Sequence, residues 1–163
     1  MSLSTLCVGA DVHLDEIVLC AVDKAESHEV CERFRVTNNL PGAQAAATAI
    51  AAIAESLGWE ATGMLWIPFH RYLSDCSQLQ PFGPQLVCFN PQLVAKFKDG
   101  LVLRHPKDDK RDASTVAARL RIGEIPLSYV PGDFWQGLRR LTRYRFHLSR
   151  NLSREKMRFQ SYA

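Results

Sequence analysis

Apolar and polar positions divide the chain into a strand-rich first third, an alternating middle and a long helical end. Leu6-Cys7-Val8-Gly9-Ala10-Asp11 is a short apolar run closing on an acid. Glu16 to Val22 is a second apolar run, and Glu29 to Val36 alternates as a third strand. Asn38-Asn39 and Pro41-Gly42 punctuate the chain before an alanine-rich stretch, and residues 41–57 predict a helix. Gly58-Trp59-Glu60 reads as a brief strand ending in a second acid, Pro68 to Cys76 as a helix, and Gln85 to Phe89 as a buried strand closed by Asn90-Pro91. A helix is expected to begin over Gln92 to Phe97 and a loop to span 99–108. Asp109 to Ile122 predicts a helix with Ala113, Val116, Ala117 and Leu120 on one face.

Three antiparallel strands followed by alternating helices and strands imply an α/β fold, a mixed sheet flanked by helices. That order is the ribonuclease H-like arrangement, although order alone fits other α/β folds. The end of the chain is different. Phe134, Leu138, Leu141, Leu148, Leu152 and Phe159 follow a 4-3 spacing, with Arg145 and Glu155 at two of the seam positions. The spacing predicts a long C-terminal helix, either one side of a coiled coil or an amphipathic helix packed on its own domain. The expected division is a domain over 1–130 and the start of a basic helix over 131–163. No glycine follows Gly137, and without a helix stop the chain reads as cut within a longer protein.

Apolar residues are 47% of the chain, and 163 residues suffice for one core without staples. No apolar run approaches the length of a membrane helix, and the N-terminus lacks a secretory pattern. A cytoplasmic protein with no membrane partner is expected. The five cysteines are odd in number and form no C-x-x-C pair, which fits small core residues better than disulfides or zinc. Net charge is +3, unevenly spread: Asp133 to Ala163 carries +6 and the remainder −3. A basic tail either meets nucleic acid or is a solvated helix face.

Four acids stand where metal chemistry would use them. Asp11 and Glu60 each close an apolar strand, and Asp109 and Asp112 share a face at a helix start. Magnesium takes hard oxygen ligands, and phosphoryl transfer on two metals needs several carboxylates at one rim. Acids in a first helical turn also favour the helix dipole without any metal.

The text around these acids resembles the DEDD transposase family of the insertion-sequence-110 type, which includes pilin-gene DNA invertases. The matching stretches are Val8-Gly9-Ala10-Asp11-Val12, Glu60-Ala61-Thr62-Gly63, Asn90-Pro91 with Val94 and Phe97, and Lys107-Asp108-Asp109-Lys110-Arg111-Asp112-Ala113, in the family's order. The resemblance implies an N-terminal domain like the Holliday-junction resolvase RuvC, with a ribonuclease H-like fold. It implies that Asp11, Glu60, Asp109 and Asp112 bind Mg2+ or Mn2+ as a catalytic tetrad. It further implies DNA strand cleavage and exchange directed by a structured guide RNA, in a homo-oligomer. The nucleophilic serine belongs to a separate C-terminal domain, expected beyond Ala163. An isolated N-terminal fragment is then expected to be inactive.

The chain departs from the family pattern at two places. His13-Leu14 stands where Ser-Lys is common, so a basic side chain near the metal edge is lost or replaced by His13. Asp108 replaces a hydroxyl residue and competes with its neighbours for the metal role.

Candidate nucleic-acid contacts are Lys107, Lys110 and Arg111 beside the acids, and Arg139, Arg140, Arg143, Arg150 and Arg154 on the tail. Trp66, Phe69 and Tyr72 recur at helical spacing and read as core, and His28, His70 and His147 form no ligand spacing. A non-catalytic nucleic-acid-binding and oligomerisation module is the alternative. An actin-like ATPase ranks below both, because Val12-His13-Leu14-Asp15 lacks a phosphate-binding turn.

Overall fold

The computed structural model describes residues 6–25, 34–51, 53–79, 85–101, 109–123 and 129–162, without the side chains of 78, 101 and 109–111. These residues fall into two compact units, Met1–Ser128 and Tyr129–Ala163.

The first unit is built on five strands: β1 (Leu6–Val12), β2 (Glu16–Asp23), β3 (Phe34–Thr37), β4 (Ala54–Glu60) and β5 (Gln85–Phe89). Their order across the sheet is β3-β2-β1-β4-β5. β2 lies antiparallel to both β1 and β3, whereas β1, β4 and β5 run parallel. This mixed sheet, with its antiparallel meander on one side and parallel strands on the other, is the ribonuclease H-like arrangement expected from the sequence.

Alternation along the strands sorts the two faces. Cys7 on β1, Val87 and Phe89 on β5 and Val18, Cys20 and Val22 on β2 are buried beneath two helices, α3 (Pro91–Leu101) and α4 (Asp109–Ile122). The α4 residues that meet them include Ala113, Val116, Ala117 and Leu120, the face read from periodicity. The opposite face carries Trp59, whose ring meets Phe69 of α2 (Trp66–Asp75) edge-on at 6.0 Å. Helix α1 (Leu40–Ala51) packs beside α2 and β3 through Ala43, Ala46, Ala47 and Ile50.

Local chemistry fixes the element ends. Asn39 Oδ1 accepts the Gly42 N–H at 2.9 Å, and Asn90 Oδ1 accepts that of Gln92 at 2.9 Å. Both asparagines therefore cap helices that have proline in the first turn. Gly63 turns the chain from β4 toward α2 at φ 64°. Gly123, at φ 74°, ends α4, and its carbonyl accepts from Arg119 Nη1 at 3.0 Å.

Three expectations need correction. The helix expected over 41–57 ends at Ala51, and 54–57 belong to β4. Ala54, Glu55 and Leu57 favour a helix locally, but pairing with β1 overrides that preference. The strand before Glu60 is thus seven residues long rather than brief. The loop expected from 99 starts later, because α3 runs to Leu101. The third strand is described from Phe34 on, and the rest of its expected span lies outside the described residues.

Cys7, Cys20, Cys76 and Cys88 are buried core residues outside any disulfide, as expected; Cys31 lies outside the described residues. Burial pushes the Cys88 thiol up to about 11, against a smaller opposing effect of the Trp59 indole. Among the described residues no helix is long and apolar enough to cross a membrane.

The second unit is dominated by one helix, α5 (Asp133–Tyr162), whose 30 residues extend about 45 Å. Gln136 ties its start down: its Nε2 donates to Pro131 O at 2.7 Å and its N–H to Gly132 O at 3.0 Å.

Candidate metal centre

Strand register places the first two acids. β1 and β4 are parallel neighbours with Ala10 opposite Trp59, so Asp11 and Glu60 occupy the next position on each strand. Asp11 shares the face of Cys7 and Gly9, and Glu60 that of Gly58. Gly58 faces Leu120 of α4 and Phe89 of β5. Both carboxylates therefore stand at the C-terminal edge of the sheet on the α4 side.

The third acid arrives on α4, and two small residues decide how near it comes. A Cβ added at Gly9 would overlap the Ala113 carbonyl and lie 2.5 Å from the Ala117 nitrogen. Glycine lets the helix backbone rest directly on β1, which brings the first turn of α4 to the strand ends. Asp112, one residue before Ala113, thereby joins Asp11 and Glu60.

The electrostatics record this convergence. The Glu60 carboxyl is pushed above its ordinary value, first by burial and then by the negative charges of Asp112 and Asp11. Lys98 opposes that rise, as does the Thr62 hydroxyl, which lies 3.5 Å from Glu60 Oε2. A lysine and a histidine sit among the acids. Lys98 Nζ on α3 is 2.8 Å from Asp112 Oδ1, and His13 Nε2 is 3.0 Å from Asp11 Oδ2. The pairing with His13 carries charge only when the imidazole is protonated.

Of the expected tetrad, Asp11, Glu60 and Asp112 come together. Asp109 begins α4 with only its backbone described. Among the described residues no three acid, histidine or cysteine side chains are already set around a common ion position. The donor set nevertheless suits a hard divalent cation, since carboxylate oxygens gather at one rim, where burial and the charges of Asp112 and Asp11 oppose ionisation of Glu60. Asp112 Oδ1 is turned instead to Lys98 Nζ.

The remaining candidates fare differently. Lys107 and Asp108 lie outside the described residues, as do the side chains of Lys110 and Arg111. Arg139, Arg140, Arg143, Arg150 and Arg154 are exposed along α5, and the Arg150 guanidinium lies 5.6 Å from the Phe146 ring centroid. The apolar seam from Phe134 to Phe159 is exposed as well. Trp66 and Phe69 are buried core residues, as expected, and Tyr72 is half-buried.

Sequence reasoning missed Lys98. Its neighbour Phe97 belongs to the family pattern, but nothing local marks the lysine. Only the packing of α3 against α4, where Arg119 lies over Phe97 at 5.7 Å, carries it to Asp112.

Comparison with known proteins adds the following. The family model for DEDD transposases of the insertion-sequence-110 type, described as "Transposase", matches residues 8–162. Among solved structures, a T. thermophilus RuvC in complex with a Holliday junction substrate is similar at 14% identity and a TM-score of 0.47. That match covers 76% of this chain and 99% of the RuvC chain. No curated protein matches.

Proposed function

The chain belongs to the DEDD transposase family of the insertion-sequence-110 type, and from that premise we propose that its first unit is the metal-dependent nuclease-like domain of a DNA recombinase. Asp11, Glu60, Asp109 and Asp112 hold Mg2+ or Mn2+, and DNA is the substrate. The carrying observation is the convergence of Asp11, Glu60 and Asp112 at one sheet edge, with both aspartates acting on the Glu60 carboxyl. A bound divalent cation supplies Lewis-acid polarisation of a phosphate ester.

The chain's own residues set up that chemistry. β1 and β4 fix two carboxylates by register, and α4, seated on Gly9, delivers the third. Partial burial keeps the rim poor in competing water and strengthens each charge interaction. Lys107, Lys110 and Arg111, near the acids in sequence, hold the DNA backbone. The arginines of α5 meet phosphates of DNA or of a structured guide RNA.

Strand exchange further requires the serine-bearing domain expected of the family, so the first unit alone does no complete reaction. The reading includes a homo-oligomer in the cytoplasm.

The test is Asp11→Asn or Asp112→Asn in a recombinase that carries the serine domain. Strand exchange should fall by about 100-fold or more, the several kcal/mol a catalytic metal supplies. Unchanged exchange by correctly folded variants overturns the assignment. A non-catalytic binding module is the second reading, favoured by the exposed arginines of α5; it predicts that DNA or RNA binding survives both substitutions while exchange is also unaffected.

A further inference from the structure

We propose that Lys98 is a built-in counter-ion of the acid cluster, competing with the divalent cation for Asp112. The inference rests on the metal-centre reading above and adds a residue that the motif does not contain.

Two observations carry it. Lys98 Nζ lies 2.8 Å from Asp112 Oδ1, with the two side chains 33% and 23% exposed, so the pair is partly shielded from water. The same ammonium is also within electrostatic reach of Glu60, so one lysine faces two of the three converging acids.

The helix bearing Lys98 is tied down at both ends. Asn90 caps α3 where β5 ends, and the Phe97–Arg119 contact fastens the end of α3 that carries Lys98 to α4. The helix that carries Lys98 is therefore anchored beside the rim, and its ammonium reaches Asp112 from there.

The chemistry follows from charge. Three carboxylates without a cation repel one another across a rim of reduced dielectric. Lys98 relieves that repulsion in the metal-free protein. A divalent cation must displace the ammonium from Asp112, and the lost pair is subtracted from the cation's affinity. Lys98 thus stabilises the fold without metal and weakens metal binding, two effects of opposite sign from one side chain.

Titration of the chain with Mn2+ alone at pH 8, followed by calorimetry, measures the competition directly. Lys98→Gln should bind Mn2+ about three- to tenfold more tightly than the unsubstituted chain, the scale of a partly exposed ion pair. Lys98→Arg, which keeps the charge, should stay near the unsubstituted value. The melting temperature without metal should fall in Lys98→Gln and hold in Lys98→Arg. Equal or weaker Mn2+ binding by folded Lys98→Gln overturns the proposal while leaving the metal centre in place. If Lys98→Gln does not fold, Lys98→Met in the same titration decides on the same criteria. Absence of Mn2+ binding by the unsubstituted chain and by every variant overturns the metal centre and the counter-ion together.

Discussion

Gly9 of β1 lies directly beneath the peptide backbone of Ala113 in α4, so close that a methyl group at position 9 would overlap the Ala113 carbonyl. Two residues beyond Gly9 is Asp11; one residue before Ala113 is Asp112. The closeness of the two backbones is thus what brings acids about a hundred positions apart to the same rim.

Replacing Gly9 with Ala should therefore damage both fold and site. The intruding methyl meets backbone, which cannot rotate away, and a loss of about 1–3 kcal/mol is expected in denaturant unfolding. Gly58→Ala is the comparison. Its methyl would meet the Phe89 ring at 2.7 Å and the Leu120 side chain at 3.1 Å, groups that can shift. Gly9→Ala should be the more destabilising of the two, and an inverted order contradicts this account of the α4 seat.

Much of this arrangement was legible in the sequence. The G-x-D of β1 and the D-A of α4 are a close-approach pair with a carboxylate beside each small residue, so the motif encodes packing and chemistry together. Asn90-Pro91 was legible as the end of β5 with a helix following, and the structure adds that Asn90 caps that helix. The first half of β4 was not legible, since Ala54-Glu55-Ser56-Leu57 carries helix-forming residues and becomes strand by pairing with β1 on one side and β5 on the other. Lys98 was invisible for a similar reason: its role depends on the packing of one helix against another.

Glu60 should weigh on the metal-free fold at neutral pH. Its folded pKa is raised, chiefly by burial, so the folded state holds the proton more tightly than the unfolded chain. That contribution favours folding below the ordinary value near 4.5 and is lost as pH rises through the raised value. Glu60→Gln should raise the melting temperature at pH 7–8 without metal, lose that advantage near pH 4, and abolish stabilisation by Mn2+. A melting temperature at pH 7–8 no higher than that of the unsubstituted chain counts against the strained-carboxylate reading.

His70 predicts a second pH dependence, of opposite direction. Its ring lies 5.4 Å from Trp59 and 5.8 Å from Trp66, and burial lowers its pKa below 6.5. The depressed value means that stability is intact above 6.5 and is lost as pH falls through that ordinary value toward the lowered one. Urea midpoints measured from pH 7.5 to 5 should show this loss, and His70→Gln should flatten it. An equally steep decline in the variant assigns the dependence elsewhere.

The exposed arginines of α5 predict salt-sensitive binding. Gel-shift affinity for duplex DNA or structured RNA should fall steeply between 50 and 200 mM salt. Changing Arg139, Arg140, Arg143, Arg150 and Arg154 to Ala should reduce the log–log slope by about 0.9 for each DNA phosphate that is no longer neutralised. A flat response in the unsubstituted chain removes α5 from the interface.

The most direct examination of the metal centre is anomalous diffraction from crystals grown with Mn2+. A peak is expected at the C-terminal edge of β1 and β4, within about 2.5 Å of oxygens from Asp11, Glu60 and Asp112. Lys98 should be withdrawn from Asp112. A well-ordered cluster with no peak between those carboxylates, at Mn2+ concentrations that saturate strand exchange, contradicts the account.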